Sequence, residues 1–267
     1  MIFNCKELAE SELNRLSKSV ERRISLGVIQ IGQDRVSEVY INEKRKAAKK
    51  VGMEFNHYKF PETVTLNELR REIKNFPDEG LIVQLPIKAD LSAQKVLNLI
   101  PIEKDVDGLS EISIGKSVTG RLNIFPPVVG AVDKILTESE VDLEGKVMAV
   151  VGPGRLVGKP AIIYGLSKGA TIISVDEKTK NPKKLTNKAD VLITGVGKPG
   201  LITADMIKEG AIVIDAGTSK KDGKIVGDVN LDSVKSKAGL VTPVPGGVGP
   251  LTVAVLLENL IKKTNGN

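Results

Sequence analysis

Apolar and polar positions along the chain alternate between two periods. Spacing near 3.6 over 6–24 predicts a helix, the apolar run 26–31 predicts a strand, and helical spacing resumes over 35–51. A strand over 53–60, a helix over 66–76, a strand over 81–85 and a helix over 92–100 follow, punctuated by Pro61, Pro77, Pro86 and Pro101. Short strands separated by helices imply a parallel sheet covered on both faces.

A helical segment over 127–136 leads into a polar stretch, 137–145, that marks a domain boundary. Beyond it, apolar runs at 147–151, 171–175, 191–194, 211–215 and 240–242 are joined by glycine-rich turns. Positions 1–130 hold eight glycines and 131–267 hold eighteen, so the second half makes far more tight turns. The predicted fold class is α/β in two domains, an N-terminal α/β substrate domain over 1–138 and a C-terminal Rossmann-type doubly wound parallel sheet over 139–250. A cleft is expected between them, and a final helix over 251–263 is expected to pack back on the first domain.

The strand at 147–151 runs directly into Gly152-Pro153-Gly154-Arg155-Leu156-Val157-Gly158, then into a helical segment. That is the order a dinucleotide site requires, because glycines let the backbone approach a pyrophosphate and the free N–H groups at a helix start attract its charge. The spacing is GxGxxxG rather than GxGxxG, and by itself a plain tight turn explains it equally well. Asp176 ends the next strand, 24 residues past Gly152, where a carboxylate can bind ribose hydroxyls. Two further joints, Gly195-Val-Gly197-Lys-Pro-Gly200 and Asp215-Ala-Gly217-Thr218, follow the third and fourth strands at the ends where open α/β sheets bind ligands. Either one alone could be a mere turn, but together they are harder to dismiss.

Two polar residues interrupt apolar patterns in the first half. Lys44 lies in the stripe Val36, Tyr40, Ala47, Val51 that should face the interior, and a desolvated lysine has a lowered pKa suited to acid-base work. The bland alternative is a lysine snorkelling from the stripe's edge. Gln84 sits inside the strand at 81–85 and needs hydrogen-bond partners if buried. Asp105 and Asp107 suggest a calcium loop, but the sixth and twelfth positions from Asp105 are Ser110 and Lys116, so an EF-hand is rejected.

Composition narrows the chemistry. With 41% hydrophobic and 27% charged residues the chain is globular, and no run reaches the roughly 18 apolar residues of a membrane span. One cysteine, Cys5, and one histidine, His57, leave no His or Cys cage for a metal, and a Ser-His-Asp triad would have to rest on His57 with no nucleophile motif beside it. The start of the chain has no signal-peptide layout, and cytoplasmic residence is expected. A net charge of +6 with five Phe, three Tyr and no Trp offers few stacking platforms for nucleic acid and suits an anionic small ligand.

Four ordered strings carry a resemblance across essentially the whole chain. Tyr40-Ile-Asn-Glu-Lys44-Arg-Lys, Val83-Gln84-Leu85-Pro86, Lys104-Asp105-Val106-Asp107-Gly108 and Pro243-Val-Pro-Gly246-Gly247-Val-Gly249-Pro250 are similar to the YxxxKxK, VQLP, KDVDG and PGGVGP strings of the bifunctional methylenetetrahydrofolate dehydrogenase/methenyltetrahydrofolate cyclohydrolase family. The resemblance implies oxidation of 5,10-methylenetetrahydrofolate with NADP (or NAD), then hydrolysis of the methenyl cation to 10-formyltetrahydrofolate in the same cleft. It implies Lys44 as general acid/base, Gln84 as its positioner, Tyr40 stacked on the folate, Asp107 on the pterin's amino-pyrimidine edge, and Pro243, Gly246 and Gly247 lining the cleft. Gly152, Pro153, Gly154, Arg155, Val157, Gly158, Asp176, Glu177, Lys178, Gly195, Gly197 and Thr218 would surround the dinucleotide. A homodimer is also implied.

Hydride loss from the methylene carbon is assisted by the neighbouring nitrogens, so that step needs alignment more than a base, and one tuned lysine can serve the hydrolysis. Three departures stand out. Phe125-Pro126-Pro127-Val128-Val129-Gly130 replaces a frequent Pro-Cys-Thr-Pro, Gly154 replaces a serine, and Asp176-Glu177-Lys178-Thr179 replaces a His-Ser-Arg-Thr-like string that meets the 2′-phosphate of NADP. The two carboxylates repel such a phosphate while Arg155 and Lys178 attract it. A shikimate-like or amino-acid-like dehydrogenase and a non-catalytic nucleotide-sensing module are the competing readings; neither accounts for PGGVGP together with KDVDG.

Overall fold

The computed structural model describes residues 1–265. The chain divides into two compact units, here taken separately: a first unit of Glu10–Pro127 with the segment from Val253, and a second of Met1–Ala9 with Val128–Thr252.

In the first half of the chain the elements are α1 (Cys5–Ser17), β1 (Ser25–Ile31), α2 (Arg35–Val51), β2 (Glu54–Phe60), α3 (Leu66–Asn75), β3 (Gly80–Val83), α4 (Ala93–Leu97) and α5 (Glu111–Val118). The helix expected over 6–24 stops at Ser17. There the N–H groups of Lys18 and Ser19 bond three residues back, and the Ser17 and Ser19 hydroxyls bond backbone carbonyls at 2.8 and 3.2 Å, competing with continuation. The three strands form a parallel sheet in the order β2-β1-β3, with β1 central. Successive β1 residues feed opposite faces. Leu26 and Val28 pack with Ile41 and Ala48 of α2 and with Leu256 and Leu260 of the last helix, whereas Ile29 and Ile31 pack with Leu69, Ile73 and Val96.

Helix α2 is fixed at both ends. The Asp34 side chain accepts from the Ser37 N–H at 2.7 Å, and Gly52 closes the helix at φ +84°. Its interior face is Ser37, Ile41, Ala47, Ala48 and Val51, while Val36 and Tyr40 are exposed. The stripe expected through Val36 and Tyr40 is thus corrected by about one residue's rotation, roughly 100°. Ala47 and Val51 belong to both faces, which is why spacing alone could not separate them.

The second half of the chain contributes α6 (Pro127–Glu138), β4 (Val147–Val151), α7 (Gly158–Ser167), β5 (Thr171–Val175), α8 (Pro182–Thr186), β6 (Val191–Thr194), β7 (Ile212–Asp215), β8 (Ser219–Lys221), β9 (Lys224–Val226), α9 (Leu231–Val234), β10 (Leu240–Val241) and α10 (Val248–Asn265). Five parallel strands lie in the order β10-β7-β6-β4-β5. The connection direction reverses at β4, which puts the crevice for a ligand between the C-terminal ends of β4 and β6. The sequence pattern does not predict α5 or the strands β8 and β9, which form an antiparallel hairpin about Asp222 (φ +50°) and Gly223 (φ +75°). Its Asp-Gly turn is a hairpin signal, but the flanking lysines lack the apolar alternation that marks strands.

Candidate active site

The side-chain cluster of the first unit stands at the C-terminal end of its sheet. The Gln84 N–H bonds the Ile29 carbonyl at 2.8 Å, holding the residue after β3 against β1, and the side chain is 9% exposed. Its Nε2 donates to the Leu85 carbonyl at 2.8 Å, which leaves Oε1 directed at Lys44, whose Nζ donates to it at 2.9 Å. Burial lowers the Lys44 pKa and the negative charge of Asp107 pulls it partly back. Burial also pushes the Asp107 carboxyl up to about 7, opposed by Lys44 and reinforced by Asp105. An ammonium that holds its proton less tightly than usual, an amide that orients it and a carboxyl with its pKa raised to about 7 are thereby assembled from α2, the residue after β3 and the segment after α4.

The two aspartates of that segment have different places. Asp105 is 1% exposed and accepts from the N–H groups of Gly108 and Ser110 at 2.9 and 3.0 Å and from the Ser113 hydroxyl at 2.6 Å, so it folds the turn into α5. Asp107 is only half-buried and makes none of these bonds, and its carboxyl is therefore available. The segment is laid alongside β3 by the Leu81 N–H to Lys104 carbonyl bond at 2.8 Å. Asn259 of α10, 1% exposed, donates to the carbonyls of Val106 and Phe125 at 2.9 and 2.7 Å. Sequence reasoning missed Asn259, though it is a polar position in the apolar run of the last helix. Tyr40 lies one turn before Lys44 and is 36% exposed, open to a ligand.

In the second unit the glycine turn is shaped by close approach. Gly152 has φ +84°, and a Cβ on Gly158 would stand 2.1 Å from the Gly152 oxygen, so neither position admits a side chain freely. A Cβ on Gly154 would meet nothing within 4 Å, leaving that face of the turn open. Val157 precedes α7 without a side-chain cap; the Lys159 N–H turns back to the Gly154 carbonyl at 2.9 Å and Pro160 has no N–H, so the Gly158 N–H and the helix dipole are what the helix start presents to an anion. These features fit a dinucleotide pyrophosphate. Gly195 lies against Val157, where an added Cβ would come within 2.6 Å, so the joint after β6 meets the glycine turn across the crevice.

Asp176, Glu177 and Lys178 are exposed after β5. The Thr179 hydroxyl and the Lys178 N–H both reach Asp176 Oδ1 at 3.0 Å and hold its carboxyl below the usual range. Arg155 and Thr218 are exposed, and Gly197 takes φ +79°. Pro243, Gly246 and Gly247 form a tight loop in this unit: Gly246 has φ +88°, and a Cβ on Gly247 would stand 2.0 Å from the Pro243 oxygen. Sequence reasoning also missed Asp228, which is fully buried beneath the joint after β6. Its neighbour Gly227 carries the only local hint.

Residues 3–107 match the family described as tetrahydrofolate dehydrogenase/cyclohydrolase, catalytic domain, and residues 126–267 match its NAD(P)-binding domain. The bifunctional protein FolD of Sulfurihydrogenibium sp. is 40% identical over 263 residues, covering 96% of this chain and 92% of that protein. Among solved structures, the bifunctional enzyme FolD of Campylobacter jejuni superposes with a TM-score of 0.95 at 35% identity, covering 100% and 99% of the two chains. The Trypanosoma brucei FolD, complexed with NADP cofactor and inhibitor, gives 0.93 at 31% identity, covering 100% and 97%. Shikimate dehydrogenase from Aquifex aeolicus, at 17% identity and a TM-score of 0.56, shares the fold alone.

Proposed function

The chain belongs to the tetrahydrofolate dehydrogenase/cyclohydrolase family, and from that premise we propose which residues perform the two reactions. The protein is a bifunctional enzyme that oxidises 5,10-methylenetetrahydrofolate with NADP and hydrolyses the resulting methenyl cation to 10-formyltetrahydrofolate. The shikimate-like and nucleotide-sensing readings fall away.

Lys44 is the general acid/base of the hydrolysis. As water adds to the methenyl carbon, neutral Nζ takes a proton from it, and the ammonium then protonates the folate nitrogen that leaves when its bond to that carbon breaks. The step consumes one water and releases one proton overall. Gln84 aims Nζ, and the 2.9 Å bond between them in a desolvated setting is the observation that carries the assignment. Asp107 receives the amino-pyrimidine edge of the pterin, Tyr40 stacks on the folate, and Pro243, Gly246 and Gly247 contribute to the substrate site.

When bound, NADP supplies the hydride acceptor. The turn Gly152, Pro153, Gly154, Arg155, Val157 and Gly158 holds its pyrophosphate, and Asp176 takes a ribose hydroxyl. Arg155 and Lys178 draw the 2′-phosphate against the repulsion of Asp176 and Glu177. Gly195, Gly197 and Thr218 border the remainder. We assign folate binding to 1–138 with 251–263 and dinucleotide binding to 139–250. A homodimer in the cytoplasm completes the reading. The buried, unreactive Cys5 thiol agrees with a reducing compartment, and no helix among the described residues is long and apolar enough to cross a membrane.

Lys44→Met is the direct test. Hydrolysis of methenyltetrahydrofolate should fall by about 10³-fold while NADPH formation survives; undiminished hydrolysis would remove Lys44 from the mechanism. Light scattering checks the dimer, and the ratio of rates with NADP and NAD reads the balance of charges after β5.

A further inference from the structure

The ends of β6 and β7 are adjacent, Thr194 standing opposite Asp215 in register, and the chain leaves both without regular secondary structure to hold it. Two carboxylates lie directly beneath. Asp228, 0% exposed, accepts from the Thr194 hydroxyl at 2.8 Å and from the N–H groups of Val196 and Lys198, both at 2.7 Å. Asp215, 2% exposed, accepts from the N–H groups of Gly217 at 2.9 Å, Asp228 at 3.2 Å and Val229 at 2.8 Å. The two are interlocked, since Asp215 holds the backbone of Asp228.

Burying two carboxylates is costly, and an apolar pair of similar volume would fill the space more cheaply. What the carboxylates provide in return is a set of hydrogen bonds to backbone donors that no ladder satisfies, and these donors belong to the joints after β6 and β7 and to the segment 228–229. The glycines record the same demand. A Cβ on Gly217 would stand 2.4 Å from the Asp228 oxygens, and one on Gly227 would stand 2.1 Å from Asp215 Oδ2. Backbone and carboxylate are thus fitted to each other, and the Gly195 end of the fitted segment touches the glycine turn at Val157.

We propose that Asp228 and Asp215 are positioning residues of the dinucleotide site, which hold the joints carrying Gly195, Gly197 and Thr218 in the conformation that NADP binds. The proposal rests on the assignment of those joints to the cofactor. Neither aspartate touches the cofactor; each acts through backbone N–H groups.

Asp228→Asn keeps the volume but sets an amide N–H against at least one N–H of the joint. In the full-length enzyme it should raise KM for NADP by about tenfold or more with kcat within about threefold. An unchanged KM in the folded variant overturns the proposal. Should that variant fail to fold, a pair at Thr194 decides. Thr194→Val preserves shape and deletes the hydroxyl donated to Asp228, whereas Thr194→Ser preserves the hydroxyl and deletes the methyl group. The proposal expects KM for NADP to rise about threefold in the valine variant and to stay near wild type in the serine variant. The reverse order would make the site one of packing alone and overturn it. Absence of NADPH formation by the wild-type enzyme would strike the cofactor assignment instead, so the two failures are distinguishable.

Discussion

The two units carry function by different physical means. In the roles proposed for the first, Lys44 moves the proton, Gln84 aims it and Asp107 binds the pterin, and the backbone supplies only the places from which these side chains project. In the roles proposed for the second, backbone shape is the site: Gly152 and Gly158 matter for what they lack, and the aspartates at 215 and 228 act by holding main chain. A side-chain site should fail through its protonation states. A backbone site should fail through added volume.

Gly158→Ala is the strongest test of that contrast. Its Cβ would be driven into the Gly152 oxygen 2.1 Å away, so the turn must open. A displacement of about 1 Å is enough to cost roughly 10²-fold. KM for NADP should rise by at least that factor while hydrolysis, which uses no dinucleotide, shows whether the first unit is intact. A variant that bound NADP normally would break the distinction.

Gln84→Leu removes the acceptor from Lys44 without adding volume. A hydrogen bond to a charged group contributes about 1.5–3 kcal/mol, so hydrolysis should slow about tenfold to a hundredfold. Asp107→Asn comes next, with folate affinity falling about tenfold. In the role proposed for Asp107 the carboxylate is the form that accepts from the pterin edge, so wild-type folate affinity should strengthen as pH rises through about 7, and the asparagine variant should lose that inflection.

The same aspartate leaves a mark on stability. Its folded-state pKa, about 7, lies above the ordinary 3.8, so the folded protein binds the proton more tightly. Its contribution is fully present below about 4 and is lost as pH rises to about 7. Asp107→Asn should flatten that part of the curve of Tm against pH. Asn259→Leu should have the smallest effect on catalysis. Two carbonyls lose their donor at a cost of about 1–3 kcal/mol, visible as a lower Tm.

Legibility in the sequence follows the same division. Lys44 and Gln84 stand out because a polar residue inside an apolar pattern is visible at the level of periodicity, even though the stripe that drew attention to Lys44 is rotated from the true interior face. The strands of the second sheet are legible because each is a short apolar run bounded by glycine. Pattern and spacing could not tell Asp105 from Asp107, and only the family resemblance singled out Asp107, since the difference between a turn-forming carboxylate and an available one lies in which N–H groups surround it. Asp228 was hidden for a related reason. Its partners, Thr194, Val196 and Lys198, are some thirty residues away, and the adjacent Gly227 is the one local hint of a carboxylate that will be buried. The hairpin at 219–226 shows its turn but not its strands.

Asn259 joins to Val106 across 153 residues of chain, and the first unit takes its closing helix from beyond the second. During vectorial synthesis the anchor for the aspartate segment therefore emerges only after the whole nucleotide lobe has left the ribosome. A nascent chain therefore cannot complete the first unit before the second has been made.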